Sequence, residues 1–301
     1  MNREGKRKLS FENIAIMPEE LNAQLLLEEY LSSTLAREWP RVECCGSSRS
    51  LYCPECFQIL IPQEKWPKDI REARVKFPFH IDIVLGKKER KTCATGVQVA
   101  AIAGALESIQ DSQTDPSLSL LTGANRLESN SVETVKLFSF EDNNIPNYDP
   151  EFFSNTYVLF PEEGSVPITC VEKIDRLIVL DIKWSKQSGN ADSRFRSIPR
   201  VHLDSPPDQS HFWRWHSEGT GMLSTIEAIY FAAMETTIDW NVADRRRLIN
   251  IMWLFAAQHA IVKRKSELEN RAVPFSEDAK LERRLLRQLH PSHPSRSVIL
   301  R

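Results

Sequence analysis

Three sets of residues in this chain have types and spacings that could do chemistry. The first is Ser224-Thr225-Ile226-Glu227, a Ser-x-x-Glu box directly ahead of an apolar run with helical spacing. In such a box the serine side chain accepts from the glutamate amide, and the glutamate reaches back to the serine amide. The opening turn of a helix also has spare N–H groups and a partial positive charge. The preceding Gly219-Thr220-Gly221 lets an anionic group come close. Read alone, the pattern is a helix cap first and an anion site second.

The second set is Cys44 and Cys45 with the Cys-x-x-Cys knuckle of Cys53 and Cys56. Two facing knuckles hold zinc tetrahedrally, because each turn aims two thiolates at one point. Here the first pair is adjacent rather than spaced by two. A structural zinc site is the leading reading, with unligated cysteines and a redox pair as alternatives. Cys93 and Cys170 read as small buried side chains. The third set is the edge where apolar runs end: 156–160 stops at Pro161, and 177–180 stops at the carboxylate of Asp181. His202, His211 and His216 are too scattered for a ligand set and read as structural or RNA-facing.

The elements that must position these groups are legible in outline. Residues 79–85 alternate and stop at Gly86, which predicts a strand. Residues 97–106 are small and apolar, strand or buried helix. Residues 135–138 predict a short strand. The runs 156–160 and 177–180 are continuous and β-branched, as in parallel strands buried on both faces. Open α/β sheets bind ligands at the carboxyl edge of such strands.

The last third reads as helical. Ile226, Ile229, Tyr230, Ala233 and Met234 mark one face; Leu248, Ile251, Met252, Phe255, His259 and Val262 a second; Leu281, Leu285 and Leu289 a third. Near the start, Leu21, Leu25, Leu26, Leu27, Tyr30 and Leu31 predict a helix. The expected organisation is an N-terminal arm and helix (1–40), a cysteine element (41–66), a main domain (67–264) with a polar insertion at 107–133, and a C-terminal helix and tail (265–301).

The 301 residues carry a net charge of −2, so no global field draws in nucleic acid, and 41% are hydrophobic, enough for a sizeable core. Any RNA contact must come from local basic groups. No run of eighteen apolar residues predicts a membrane span. The opening MNREGKRKLSFENIA has no apolar stretch of the secretory kind. Clustered cysteines without a secreted disulfide pattern point to the nucleus or cytoplasm.

Five blocks then stand in order: CGSSRSLYCPEC ending at Cys56, FPFHIDIVLGKKER and KTCATG between Phe77 and Gly96, YVLFPEEGS from Tyr157, VLDIKW ending at Trp184, and FWR followed by LSTIEA. The second block contains Glu89, Thr95 and Gly96. With these blocks the chain resembles the DTW-domain family (TDD superfamily) of tRNA-uridine aminocarboxypropyltransferases, in its eukaryotic branch with an N-terminal cysteine cluster. The resemblance covers roughly residues 41–262. It departs from the pattern twice. The motif Asp-x-Thr-Trp stands here as Asp181-Ile182-Lys183-Trp184, and the first Cys-x-x-Cys is disturbed.

The resemblance implies an α/β fold of the SPOUT class, a sheet covered by helices with a C-terminal knot, beside a small zinc-ribbon-like element. It implies S-adenosylmethionine as donor of a 3-amino-3-carboxypropyl group, tRNA as partner and N3 of a uridine as acceptor, with methylthioadenosine released. A SPOUT-like RNA methyltransferase is the alternative. So is a non-catalytic RNA- or protein-binding relative, which Lys183 motivates.

On this basis Asp181 is the expected base, since a carboxylate at a buried strand end can have a raised pKa. Lys183 would pair with Asp181 or meet the donor carboxylate. Trp184 would stack on a base. Ser224 and Thr225, with their helix amides and Glu227, would hold the donor carboxylate. Phe160, Pro161, Gly164, Leu180 and Leu223 would line the adenosine side. Arg194, Arg196, Arg200 and Arg214 are the expected RNA contacts. Arg245-Arg246-Arg247 is a second basic group, with a solvated helix face as its alternative. Cys44, Cys45, Cys53 and Cys56 would hold zinc.

Overall fold

The computed structural model describes residues 21–87, 89–113, 134–141, 144–148, 153–182, 193–213 and 222–269. Its centre is a six-stranded sheet. In chain order the strands and helices are α1 (Ala23–Ser33), β1 (Val42–Cys44), β2 (Ser47–Arg49), α2 (Lys68–Arg71), β3 (His80–Leu85), α3 (Gly96–Gln113), β4 (Val135–Ser139), β5 (Thr156–Leu159), β6 (Val166–Pro167), β7 (Arg176–Asp181), β8 (Arg200–His202), α4 (Thr225–Thr236), α5 (Val242–Arg247) and α6 (Trp253–Leu268). The sheet order is β4-β3-β7-β5-β8-β6, and every pairing in it is parallel.

The apolar strands are buried on both faces, as parallel sheets require. Ile81, Ile83, Leu85, Leu177 and Val179 face a core shared with Ile102, Ile226, Tyr230 and Phe255 from the helices. Leu27, Leu51 and Ile61 join the same core. Val84, Val158 and Ile178 face the other way, against Tyr148, Phe195 and Ile198.

The strand expected over residues 79–85 is β3, which is buried from Ile81 to Leu85. Asp82, the polar step of that alternation, is fully buried. Arg176 donates to its Oδ1 at 2.7 Å and the Tyr148 hydroxyl to its Oδ2 at 2.9 Å. Burial, then the neighbouring Asp82 charge, pushes the Tyr148 phenol upward. A buried carboxylate is tolerated only with such partners.

Other expectations change in detail. Residues 97–106 are helix, and the helix continues to Gln113, into the stretch read as a polar insertion. Leu27 and Leu31 turn to the core in α1, whereas Leu25 is exposed, because four adjacent-register leucines cannot share one stripe. Cys93 is half-buried and Cys170 exposed. Cys170 ends a single 3-10 turn in which Ile168 takes the core position. The helical face starting at Leu248 begins as a 3-10 turn, Leu248–Met252, before α6. Arg245 is buried, not solvated, and donates to the Met234 carbonyl at 3.0 Å. Leu281, Leu285 and Leu289 lie outside the described residues.

The sheet order places a switch in direction where the site is expected. From β3 the chain steps outward to β4; from β5 it steps the opposite way to β6. β7 fills the gap between β3 and β5. Such switch points open a crevice beyond the carboxyl ends of the strands. Residues 160–165, six in all, join β5 to β6, yet β8 lies between those two strands.

Candidate active site and cysteine centre

Asp181 is the last residue of β7, opposite Leu85, and its carbonyl accepts from the Gly86 amide at 2.9 Å. Alternation along β7 sends its side chain to the helical face of the sheet, with Leu177 and Val179. There the Gly96 amide, at the first position of α3, donates to Asp181 Oδ2 at 3.2 Å. A Cβ on Gly96 would lie 2.8 Å from Ile83 Cγ2, 3.1 Å from Asp181 Oδ2 and 3.2 Å from Thr225 Cγ2. Asp181 and the first residue of α4 thus meet at one point, and only glycine fits between them and β3.

Thr95 completes the junction. It is buried, and its hydroxyl accepts from the Ile226 amide at 3.3 Å. The α3 entry thereby serves the first turn of α4. Within α4 the Ser224–Glu227 capping box is formed. Glu227 is fully buried and takes more than the box requires. Oε2 accepts from the Ser224 amide at 2.9 Å, the Ser224 hydroxyl at 2.6 Å and the Ser210 hydroxyl at 2.5 Å. Oε1 accepts from the His211 amide at 2.7 Å.

The remaining expected donor contacts lie along the same edge. Leu180, Phe160 and Leu223 are half-buried, and Pro161 and Gly164 are exposed. Leu159 is level with Val179, so residues 160–164 leave the sheet beside Asp181. Gly164 has φ +87°, which the turn from Glu162 to Ser165 requires at that position. Lys183, Trp184 and Arg214 lie outside the described residues.

The basic group is partly committed. Arg200 lies over the Phe160 ring at 5.7 Å and forms an ion pair with Glu162. Arg194 donates to the Phe140 carbonyl at 2.9 Å and lies over its ring. Arg196 is exposed. Arg247 pairs with Asp244 and Asp69. His202 Nδ1 is 2.8 Å from the Ser165 hydroxyl, which donates to the Glu162 carbonyl.

The sequence reading left Thr95 and Gly96 out of the site. Their signal was a Thr-Gly pair between an apolar strand and a helix. A hydrogen bond spanning 85 positions has no trace in local spacing.

The four clustered cysteines converge. Their sulfurs all lie within 4.8 Å of one another, with Cys44 3.5 Å from Cys56 and 4.0 Å from Cys45. Sulfurs around one tetrahedral zinc, at about 2.3 Å each, lie roughly 3.8 Å apart, so the donor set fits. The adjacent pair is accommodated by a two-residue hairpin between β1 and β2, with Cys45 at φ 48° and Gly46 at φ 71°. The second knuckle closes through the Phe57 amide, which donates to the Cys53 carbonyl at 2.9 Å, with Phe57 at φ 60°.

Burial alone would raise the Cys53 thiol, but the Cys56 and Glu55 amides outweigh it and bring it down to about 7. Hydrogen bonding to Cys56 and then Cys53 raises Cys44 to about 12. A bound cation would stabilise the thiolate form of all four. The element is tied to the 86–95 segment by the Lys91–Glu55 ion pair at 3.0 Å, and to α3 by Gln98, which donates to the Tyr52 hydroxyl at 3.4 Å.

Among the described residues, no helix is long and apolar enough to cross a membrane. No protein-family model matches the chain, and no solved structure matches it. Two curated proteins do. One is the tRNA-uridine aminocarboxypropyltransferase 1 of Xenopus laevis, 29% identical over 244 residues, covering 74% of this chain and 78% of the frog protein. The other is the protein of the same name from Xenopus tropicalis, 27% identical over 240 residues, covering 74% and 77%. Five sequence blocks in order, and similarity to these two proteins along three quarters of its length, support the resemblance to the DTW-domain family.

Proposed function

We propose that this protein transfers the 3-amino-3-carboxypropyl group of S-adenosylmethionine to N3 of a uridine in tRNA. The observation that carries the reading is the convergence of Asp181 Oδ2 and Thr225 on Gly96. It brings the base candidate and the start of α4 to one edge of the sheet. The names of the two frog relatives support the same activity.

The donor supplies a sulfonium whose neighbouring carbon is electrophilic. The chain's own residues must then orient and deprotonate. The start of α4 turns a partial positive end toward a carboxylate, with the Ile226 amide already taken by Thr95 and the Glu227 amide by the capping box. Leu223, half-buried on the helical face, offers apolar surface for a nucleoside, and residues 160–164 border the edge, with Leu180 and Phe160 packed toward the other face of the sheet. Asp181 receives the N3 proton. As N3 forms its bond to carbon, the carbon–sulfur bond breaks and its electron pair stays on sulfur. The Gly96 amide, donating to Oδ2, orients the carboxylate. Lys183 neutralises the donor carboxylate, Trp184 stacks on a base, and Arg196 and Arg214 meet phosphates. Cys44, Cys45, Cys53 and Cys56 hold a structural zinc ion. The 160–165 crossover with β8 inside it supports the knot that the family resemblance implies.

Asp181→Asn tests the reading with two instruments. Turnover should fall about 10²- to 10⁴-fold, the share a positioned base contributes. Donor affinity by calorimetry should stay within about threefold, since the amide keeps its shape. Wild-type turnover in this variant would remove Asp181 from the chemistry.

A further inference from the structure

We propose that Glu227 is a positioning residue of the donor site: it fastens the segment arriving at Ser210 and His211 to the first turn of α4. The inference rests on the donor-site reading above. Glu227 is one turn inside α4, fully buried, and its two oxygens receive four hydrogen bonds. Two come from Ser224, at the helix entry. The other two come from Ser210 and His211, seventeen and sixteen residues upstream. A capping box needs only the Ser224 half.

The Ser210 hydroxyl extends the fastening, because it also accepts from the Phe212 amide at 3.0 Å. Phe212 and Trp213 then pack at 5.1 Å, and Trp213 packs at 5.1 Å on Phe255 of α6. One carboxylate therefore sets the approach of the 210–213 backbone, its aromatic pair and the α4 entry relative to each other. Thr225 is two positions from Glu227 and is the residue that meets Asp181 at Gly96. With its oxygens filled by protein donors, Glu227 acts through the segments it holds. A carboxylate suits the task because it only accepts; an amide in its place would point N–H at N–H on one side.

The test uses donor affinity and thermal midpoint of the full chain, measured together. Ser210→Ala deletes one donor at a half-buried position and leaves the cap intact. It should raise the Kd for S-adenosylmethionine about threefold to tenfold, the scale of one hydrogen bond. Glu227→Gln should raise it at least about tenfold. Adding Ser210→Ala to Glu227→Gln should then change Kd no further, as expected for two groups acting as a unit.

A purely structural Glu227 would lower the thermal midpoint with donor Kd unchanged in both single variants, and that result overturns the inference. So does full additivity of the two substitutions. If the wild-type chain binds no donor at all, the donor-site reading itself falls. If it binds normally while Ser210→Ala matches it, only the role of Glu227 falls.

Discussion

Asp181 and Gly96 make opposite demands on substitution. Asp181 can be changed to asparagine without changing its volume, so its loss should be read in rate rather than in folding. Gly96 cannot accept even a methyl group without movement of Ile83, Asp181 or Thr225. Gly96→Ala should therefore cost about 1–3 kcal/mol, the range for overpacking, and should also displace the carboxylate. The check is a pair of measurements on one sample: thermal midpoint and turnover both fall. An alanine variant with wild-type turnover would mean that the junction yields freely.

The elements differ in how far the sequence announced them. Strands β5 and β7 were legible because both faces are buried and both runs are continuously apolar. The cap at Ser224 was legible because its logic is local. β3 was legible as a strand, whereas the partners of its buried Asp82, Arg176 and Tyr148, come from distant positions and left no local signal. Helix α3 was ambiguous because a short run of small apolar residues suits either period. Arg245 looked solvated in a run of three arginines, yet packing at the α4 C-terminus buries it. Thr95 and Gly96 were invisible as site residues because only the fold joins them to Asp181 and α4.

The cysteine element carries its own prediction. The chain should bind about one zinc ion per molecule, and a strong chelator should lower its thermal midpoint. Cys53→Ser should abolish the stoichiometric metal by elemental analysis. Retention should weaken as pH falls below 7, because protons compete for the thiolates. A chelator-insensitive midpoint with no metal detected would leave four unligated cysteines.

At the scale of the whole molecule, the core contains a histidine that links stability to pH. Burial, then the charges of His211 and Lys263, brings His259 down to about 4 from 6.5. Between those values the unfolded chain binds a proton that the folded chain does not, so stability is full above pH 6.5 and falls as pH drops toward 4. The total is about 3 kcal/mol from the size of the shift. His259→Leu should flatten the dependence of the thermal midpoint on pH in that window. An unchanged slope would mean that other groups govern acid unfolding.

The central claim concerns which bond of the donor breaks. The most direct measurement incubates the protein with tRNA and donor labelled either in the carboxypropyl arm or in the methyl group, then locates the label in the tRNA nucleosides. Label from the arm should appear on uridine, with methylthioadenosine in equal amount, and label from the methyl group should not. Methyl label in the tRNA with S-adenosylhomocysteine released, or no label from either donor, would contradict the account.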